Sequence, residues 1–487
     1  MRTLEKYANL NLLWVFPIIV PLGTILLSFY LQEWYWGLMD DAGILGSGNN
    51  FTERLSYFYR MLGGSGLFRP TYGLHSVVFY NLFEHTPVLM HVLKWAEAIV
   101  ALLLWGVAIQ RISGGAVTLL IFGGVALSFH YFYDSLFFIS THDILGLLFM
   151  GGALNIYLTA LDRKSWAKCF MLTLLGMALM LMGFGAKEPM VACGVGLGLS
   201  FLLLSWMDFR VCKQALFLGG TVLMVSVIYA LTIKLFVQSG YSSSYSFTNF
   251  PKIRGNLIAW VNKDLFNHSP WVVIIFILGL TANRIGGATQ LLSRFSLRQQ
   301  WGLILGTVLY GGYLLFLLPW NTTAYYAGPL GVFFAIPVTI ILANVLPQTS
   351  IGLQTLVPFA ALLMNMLVSQ WALTRESLYH HDTQNLMAWI RGNTEFQLAA
   401  RSELVYCNAM EGCGALPAHL ERDFGVSIPS FKYRGFTPNA FGHDQIMVYT
   451  PRFGSATDVF AQDTWDTAFY SKFWQVYVHR LHPLPLP

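Results

Sequence analysis

The stretch NLNLLWVFPIIVPLGTILLSFY, Asn9 to Tyr30, decides the fold class of this chain. It carries no charged residue, and with about 20 residues it is long enough to cross a bilayer as one helix. No small-residue cleavage site follows it, so we interpret it as a retained membrane anchor rather than a cleaved signal peptide. Comparable apolar runs recur as far as Trp371 and then stop.

The composition of the whole chain agrees with this stretch. Of its 487 residues, 55% are hydrophobic and 11% are charged, and the mean hydropathy is +0.55. Soluble domains carry about 25% charged residues. We therefore predict an α-helical polytopic membrane protein with about eleven transmembrane helices. The predicted spans are Leu10–Tyr30, Val88–Ile109, Ala116–Phe132, Ile144–Leu161, Cys169–Gly185, Met190–Met207, Leu216–Val237, Trp271–Ala282, Gly302–Pro319, Tyr326–Val345 and Leu353–Trp371.

A polar unit follows the last span. We predict a transmembrane module in residues 1–373 and a small soluble α/β domain in residues 374–487. The stretches SELVYC and QIMVYT have the composition of strands, and TWDTAFYSKFWQVYVHRL is interpreted as a closing amphipathic helix.

Basic residues indicate the orientation of the spans. With the N-terminus in the cytoplasm, alternation of eleven spans places every short basic loop on the cytoplasmic side, as the positive-inside rule requires. The C-terminal domain then lies outside. The net charge of +5 is largely this topogenic charge and does not indicate nucleic-acid binding. The basic residues concerned are Arg2, Lys6, Arg111, Arg163, Lys164, Lys168, Arg210, Lys213, Arg284, Arg294 and Arg298.

Two observations concern the compartment. Compact loops favour a bacterial inner membrane with a periplasmic C-terminus, but glycosylation-type triplets at Asn50, Asn267 and Asn321 leave the endoplasmic reticulum membrane as the alternative. Cys407 and Cys413 lie in the outer domain, where a disulfide is expected. Half of a metal site is the alternative for this pair.

The first outer loop, from about Leu31 to Pro87, contains the stretch WYWGLMDDAGIL with the adjacent acids Asp40 and Asp41. The stretches ERLSYFYRMLGG and SVVFYNLFEH in the same loop alternate aromatic and polar residues at helical spacing. They predict short amphipathic helices in the membrane interface, which would form a lid over the acids.

Other outer loops add ionisable residues on the same face. The second loop offers His142 and Asp143, and a very short turn offers Lys187 and Glu188. Charges this close to hydrocarbon are costly unless they are paired or face water, which makes them functional candidates. Each has a structural alternative, because Asp41 could cap a helix and Lys187 with Glu188 could form a neighbouring-charge turn.

This set of residues suits glycosyl transfer from a lipid-phosphate sugar. A carboxylate under the lid would act as general base on an acceptor hydroxyl or amine. Lys187, with Arg69 or Arg254, would neutralise the phosphate that leaves with developing negative charge. The polyprenyl tail would lie in the bilayer between helices.

The same features resemble the GT-C glycosyltransferases. These include protein O-mannosyltransferases, the lipid A aminoarabinose transferase, arabinofuranosyltransferases and O-antigen glucosyltransferases. The resemblance rests on the first span, the long first outer loop with its acidic pair, an acid in the next outer loop, the Lys-Glu dipeptide and the outer C-terminal domain. It implies a polyprenyl-phosphate sugar donor and an acceptor that is a lipid, a glycan or a protein.

Residue by residue, the resemblance implies roles for the acids. Asp41 matches the catalytic base of the first loop, with Asp40 as the alternative. Asp143 in THDI matches the acid of the second loop or a substrate-binding residue, with Asp134 as the alternative.

It also implies residues that contact the donor. Lys187 would bind the donor phosphate, Glu188 would orient it or the acceptor, and Arg69 resembles an Arg-x-Pro element of some first loops. Tyr325 and Tyr326 lie where many members have a tyrosine-containing sugar or phosphate element, although this chain has no Arg-Tyr pair there.

A divalent metal is used by some members of this superfamily. Asp41, His142 and Asp143 could supply oxygen and imidazole ligands to Mg²⁺ or Mn²⁺, but the second loop has no dense Asp-x-Asp cluster. We therefore predict no obligatory metal and leave a divalent ion open.

Three other functions compete with glycosyl transfer. A transporter or flippase predicts ionisable or broken positions near mid-membrane and internal repeats, and the sequence shows neither. Another membrane transferase, such as a phosphoethanolamine or acyl transferase, is the second alternative. A non-catalytic scaffold of the same fold is the third.

Overall fold

The computed structural model describes residues 16–31, 48, 50–64, 68–83, 86–114, 118–137, 141–236, 249–260, 295–319, 324–346, 351–407, 413, 416–418, 420–421, 424–433, 446–449 and 465–479. Within these ranges the chain is mostly helical, with one small sheet near the C-terminus. The predicted fold class is confirmed.

The helices in chain order are α1 Phe16–Leu31, α2 Phe51–Gly64, α3 Pro70–Phe83, α4 Pro87–Ser113, α5 Thr118–Leu127, α6 His130–Phe137, α7 Asp143–Leu161, α8 Trp166–Ala186, α9 Met190–Met207, α10 Cys212–Phe236, α11 Phe250–Ala259, α12 Leu297–Leu317, α13 Gly328–Val345, α14 Ile351–Gly392 and α15 Thr394–Arg401. A 3₁₀ turn, Ala324–Ala327, precedes α13. The strands are β1 Val405–Cys407, β2 Lys432–Tyr433, β3 Ile446–Tyr449, β4 Trp465–Tyr470 and β5 Gln475–His479.

Seven of the described helices are long and apolar enough to cross a membrane, namely α4, α7, α8, α9, α10, α12 and α13. If the bent pair of α5 and α6 is counted as one span, the number of candidate spans among the described residues rises to 8. Three further predicted spans have other outcomes. Of Leu10–Tyr30, residues 16–30 lie in α1 and the first six lie outside the described residues. Leu353–Trp371 forms the first half of α14, and Trp271–Ala282 lies outside the described residues.

The predicted span Ala116–Phe132 is not one straight helix. It is divided between α5 and α6, whose axes differ by 72°. At the break, the hydroxyl of Ser128 donates to the carbonyl oxygen of Val125 at 2.7 Å and competes with the helical backbone bonds. The bend turns α6, which carries His130 and Asp134, away from the direction of α5.

The membrane helices share one continuous core in which large and small side chains alternate. The indole N–H groups of Trp105 and Trp301 donate to carbonyl oxygens of Leu147 and Ser200 at 2.9 Å and 2.7 Å, so these buried rings leave no unsatisfied donor. A Cβ at Gly151 would come within 2.9 Å of Trp105, and glycine therefore permits the close approach of α7 to α4.

The two short helices predicted in the first loop are present as α2 and α3, and they pack on each other. Phe58 of α2 joins Val77 and Tyr80 of α3 and Met90 of α4 in a small apolar cluster. Buried Arg54 ties the pair together, donating to Asn81 Oδ1 at 2.7 Å and lying 4.2 Å from the ring centre of Tyr80.

The C-terminal sheet has the order β2-β1-β3-β5-β4, with β1 parallel to its neighbours and β3, β5 and β4 antiparallel. The predicted closing helix is wrong, because its residues form β4 and β5. Burial of Trp474, Val476 and Val478 alternates with a period of two, which fits a strand with one face in a core. Cys407 and Cys413 form a disulfide with a Cα–Cα distance of 5.6 Å.

Helix α14 runs without interruption for 42 residues. Its first half carries the last predicted span, and its second half contributes Leu386 and Ile390 to the core of the C-terminal domain. The Trp474 indole donates to Thr383 Oγ1 at 2.9 Å, so the sheet is fastened directly to this helix. The predicted domain boundary after residue 373 falls inside α14 and stays a prediction.

Candidate functional site

Four ionisable side chains from distant parts of the sequence meet at helix ends. Arg69 precedes α3, Asp143 begins α7, and Lys187 with Glu188 forms the turn between α8 and α9. We call Arg69, Asp143, Lys187 and Glu188 the four-charge cluster. Sequence reasoning selected all four, and the structure brings them together in two ion pairs.

The first pair joins the segment before α3 to the α8–α9 turn. Arg69 Nε donates to both carboxylate oxygens of Glu188, at 2.7 Å and 2.6 Å, and both side chains are nearly buried. Burial lowers the pKa of Arg69, but the charge and hydrogen bonds of Glu188, together with the nearby Tyr326 and Tyr72, outweigh burial and raise the pKa above its usual value. The guanidinium therefore stays charged.

A glycine makes this pair possible. A Cβ at Gly185, in the last turn of α8, would come within 2.5 Å of Thr71 Oγ1. Only a residue without a side chain permits the start of α3 to lie this close to the end of α8. This close approach holds Arg69 beside Glu188.

The second pair is more deeply buried and looser. Lys187 Nζ lies 3.4 Å from Asp143 Oδ2, and the exposed fractions of the two side chains are 2% and 0%. The ends of their helices support both charges, because Asp143 lies at the positive N-terminus of α7 and Lys187 follows the negative C-terminus of α8.

Two tyrosines complete the surroundings of this pair. The hydroxyl of Tyr313, on α12, lies 3.0 Å from Asp143 Oδ1, to which it can donate, and equally 3.0 Å from the carbonyl oxygen of Tyr326. Lys187 Nζ lies 4.1 Å from the ring centre of Tyr326. The predicted residue Tyr326 thus belongs to the site, whereas Tyr313 was not predicted, because a Tyr within an apolar span gives no sequence signal.

A layer from α3 covers the N-terminus of α7. The ring of His142 lies 3.9 Å from that of Tyr72, and its Nε2 lies 3.4 Å from Ser76 Oγ. Lys94 of α4 donates to the carbonyl and hydroxyl oxygens of the neighbouring Thr141, the second at 2.6 Å. The Thr-His-Asp stretch is therefore held from two sides.

The remaining predicted residues have different outcomes. Asp40 and Asp41 lie outside the described residues, and of Tyr325 only the backbone is described, in the 3₁₀ turn. Asp134, the alternative second-loop acid, lies elsewhere and pairs with Arg375 of α14. Arg254, the alternative cation, lies in α11.

Asp134, Arg375 and Glu376 form a second buried ionic group, which we call the Arg375 cluster. Arg375 contacts Asp134 through Nη2 and Glu376 through Nε at 2.9 Å, and the exposed fractions of both acidic side chains are 4%. Its guanidinium lies 4.9 Å from the ring centre of Trp371. Sequence reasoning missed this cluster, although Arg375 and Glu376 follow an apolar run directly.

The residues considered for a metal do not form a metal site within the described ranges. Asp143 faces the Lys187 ammonium and the Tyr313 hydroxyl, and His142 packs against Tyr72. No group of three or more His, Cys, Asp or Glu side chains in the described part of the chain could hold a metal ion. The expectation about metal dependence stays a prediction.

The described helices form a multi-pass membrane fold. The chain is similar to the solved structure of ArnT from Cupriavidus metallidurans bound to undecaprenyl phosphate. The TM-score is 0.50 with 13% sequence identity, and the match covers 94% of this chain and 97% of that chain. At this identity the likeness concerns the fold. No protein-family profile matches the sequence, and no curated protein matches it.

Proposed function

We propose that the chain transfers a sugar from a polyprenyl-phosphate-linked donor to a glycan, lipid or protein acceptor at one face of the membrane. The observation that carries this proposal is the four-charge cluster, two cations and two carboxylates buried at helix ends of an ArnT-like fold. The ArnT structure holds undecaprenyl phosphate, which belongs to the same chemical class as the lipid carrier of the proposed donor.

The charges of the cluster suit a phosphate. Its two cations and two carboxylates sum to zero, so an arriving phosphate must draw a cation from its present partner. Lys187 can exchange most readily, because its 3.4 Å distance to Asp143 exceeds the ~2.7–2.9 Å of a short charge-assisted hydrogen bond. Arg69 contacts Glu188 through Nε. We assign one phosphate oxygen to Lys187 and another to the Nη groups of Arg69.

In the proposed reaction, an acceptor oxygen or nitrogen attacks the anomeric carbon while the bond from that carbon to the phosphate oxygen breaks. The electron pair of this bond passes to the phosphate, where Lys187 and Arg69 stabilise the developing charge. Asp41, or its neighbour Asp40, takes the proton of the acceptor. Glu188 and Tyr313 keep the cluster in place, and no metal is required.

We also propose the orientation and compartment. Short basic loops favour a cytoplasmic N-terminus. Compact connecting loops favour a bacterial inner membrane, with the endoplasmic reticulum membrane as the alternative. The Cys407–Cys413 disulfide supports an oxidising compartment for the C-terminal domain.

The decisive experiment measures sugar transfer by the purified chain in lipid nanodiscs, from radiolabelled polyprenyl-phosphate sugars to cell-envelope acceptors. Asp41→Asn should lower the rate at least ~10²-fold, as loss of a general base does, and Asp40→Asn serves as its matched neighbour. A larger loss in Asp40→Asn would reassign the base. Failure of every donor, together with movement of a labelled lipid across proteoliposomes, would replace this proposal by transport.

A further inference from the structure

Five exposed basic side chains gather at the end of the helix bundle that lies opposite the four-charge cluster. They are found in the α7–α8 and α9–α10 loops and in the first turns of α8 and α10, and within the described residues none of them pairs with a carboxylate. Helix α8 begins at these residues and ends beside Lys187, about 30 Å away at ~1.5 Å per residue. We call this set the basic patch, and it consists of Arg163, Lys164, Lys168, Arg210 and Lys213.

The two loops of the basic patch are neighbours in space. The Gln214 side chain, which directly follows Lys213, donates to the carbonyl oxygen of Arg163 at 3.4 Å. The ring centres of Trp166 and Phe217 are 5.9 Å apart, so the first turns of α8 and α10 are also in contact. The cations of the two loops therefore lie on one continuous surface.

The acids at this end of the bundle do not neutralise the basic patch. Asp162 is shared by Arg111 and Arg298, at 3.3 Å and 2.6 Å, and both of these arginines lie outside the patch. Asp208 Oδ1 accepts from the backbone N–H of Arg210 at 3.0 Å, within the α9–α10 loop. Seven cations and two carboxylates are described at this end, which leaves an excess of positive charge. Such a surface attracts anions.

Helix stability does not account for the lysines of the basic patch. Lys168 and Lys213 lie in the first turns of α8 and α10, and neither helix has an acidic residue there. The N-terminus of a helix carries partial positive charge, so a Lys in the first turn is unfavourable unless an anion lies nearby. The positive-inside rule explains the sign of the loops, but basic residues within the loops alone would satisfy it. Two lysines in first turns therefore favour a bound anion.

The apolar surroundings of the basic patch indicate the kind of anion. Trp206 and Phe209, close to Arg210, are 87% and 85% exposed, and exposed aromatic residues beside cations at the ends of spans are typical of the lipid headgroup region. A phosphate that carries hydrocarbon chains would contact both the cations and the apolar faces of α8 and α10, whereas a free phosphate would contact only the cations. The exposed side chains on these faces include Phe170, Met171, Leu174, Leu175, Leu216 and Met224.

We propose that the basic patch binds the headgroup of an anionic phospholipid of the bilayer. The lipid phosphate contacts Lys168 and Lys213, and the acyl chains lie along the exposed faces of α8 and α10. This site lies at the other end of α8 from the four-charge cluster, so it is distinct from the proposed donor site. The inference does not depend on the proposed glycosyl transfer.

The test measures lipid binding to the full chain by native mass spectrometry. The chain in detergent micelles is titrated with phosphatidylglycerol and, separately, with phosphatidylcholine that has the same acyl chains. The first phosphatidylglycerol should bind at least ~5-fold tighter, since each Lys near an anionic headgroup contributes roughly fivefold at low salt. Equal affinity for the two lipids would overturn the proposal. Displacement of phosphatidylglycerol by an equal concentration of inorganic phosphate would also overturn it, because the patch would then hold a free phosphate.

Paired variants locate the site. Lys168→Gln with Lys213→Gln should weaken phosphatidylglycerol binding at least ~10-fold and leave phosphatidylcholine binding within ~2-fold. Arg60→Gln with Arg401→Gln removes two exposed charges of α2 and α15 and is the matched control. If the first pair fails to fold, Lys168→Gln alone should weaken phosphatidylglycerol binding about fivefold. An undiminished preference for phosphatidylglycerol in the folded lysine variants, or an equal loss in the control pair, would overturn the proposal.

Discussion

The four-charge cluster and the Arg375 cluster are both buried ionic groups, but they are built differently. The first has two cations for two carboxylates, drawn from three places in the chain, and one of its pairs is loose at 3.4 Å. The second has one Arg for two carboxylates and joins α6 to α14 through close contacts. The two clusters therefore differ in charge balance and in the tightness of their ion pairs.

The difference lies in what a newly arriving anion would meet. At the four-charge cluster it would find two cations for two carboxylates, and the Lys187–Asp143 pair, at 3.4 Å, gives up less on partner exchange than a close ion pair would. At the Arg375 cluster it would meet an excess of negative charge around an Arg that two acids already hold. We therefore expect ligand binding at the first cluster and stabilisation of the fold at the second.

The largest effect on activity is expected for Lys187→Met. Loss of the cation that stabilises the leaving phosphate should lower the transfer rate ~10²–10³-fold, the size found when one such electrostatic donor is removed. Lys234→Met, at an exposed lysine in the last turn of α10, is the matched control. Because the change also leaves Asp143 buried without its cation, the double variant Lys187→Met with Asp143→Asn should recover stability but not transfer. Full activity in Lys187→Met would contradict the assignment of ligand binding to the four-charge cluster and of fold stabilisation to the Arg375 cluster.

The next effect concerns stability. Arg375→Gln leaves Asp134 and Glu376 buried without their cation, which should lower the free energy of unfolding by about 3 kcal/mol. Denaturant titration in detergent measures this, with exposed Arg401→Gln as control. Affinity for polyprenyl phosphate should stay unchanged in the folded fraction. A weaker affinity with unchanged stability would reverse the roles that we give to the two clusters.

A smaller effect is expected for Arg69→Lys. The charge is kept, but the planar donor set that contacts Glu188 and a phosphate together is lost, which should weaken polyprenyl-phosphate binding ~10-fold. Binding is measured by titration in nanodiscs, with exposed Arg60→Lys of α2 as control. Unchanged affinity would mean that Arg69 serves only to hold Glu188.

The smallest effect is expected for Tyr313→Phe. It removes one hydrogen bond to a buried carboxylate, for which ~1.5 kcal/mol is a typical loss, or about tenfold at most in rate. The change should appear in kcat more than in KM, because Asp143 and Lys187 lose their alignment. Tyr157→Phe is the control, since that buried hydroxyl has only a 3.8 Å contact to the Met180 sulfur. Equal effects of the two changes would leave Tyr313 with a packing role.

Sequence reasoning could find the membrane fold because hydrophobic runs are a local property. It found Arg69, Asp143, Lys187 and Glu188 for a similar reason, since charges next to apolar runs are visible without a structure. Their pairing, 119 residues apart for Arg69 and Glu188, depends on helix packing that a single sequence does not reveal.

Two errors have physical causes. The bend between α5 and α6 falls near Ser128 in an apolar run that has no Pro at the break, so the sequence gives little signal for it. The prediction of a helix over β4 and β5 fails because aromatic and charged residues there satisfy the helical and the strand periodicity in part, and pairing of β5 with β3 decides for the strand.

Helix α14 has a consequence for tolerance to insertion. At ~1.5 Å and ~100° per residue, its 42 residues span about 63 Å, and one added residue would rotate everything downstream by ~100°. An insertion between Ser377 and Asp382 would therefore turn the whole C-terminal sheet out of phase with the membrane helices. The number of residues in this helix thus fixes the rotation of the C-terminal sheet relative to the membrane helices. We expect insertions of three or four residues, which nearly restore that rotation, to be tolerated better than insertions of one or two.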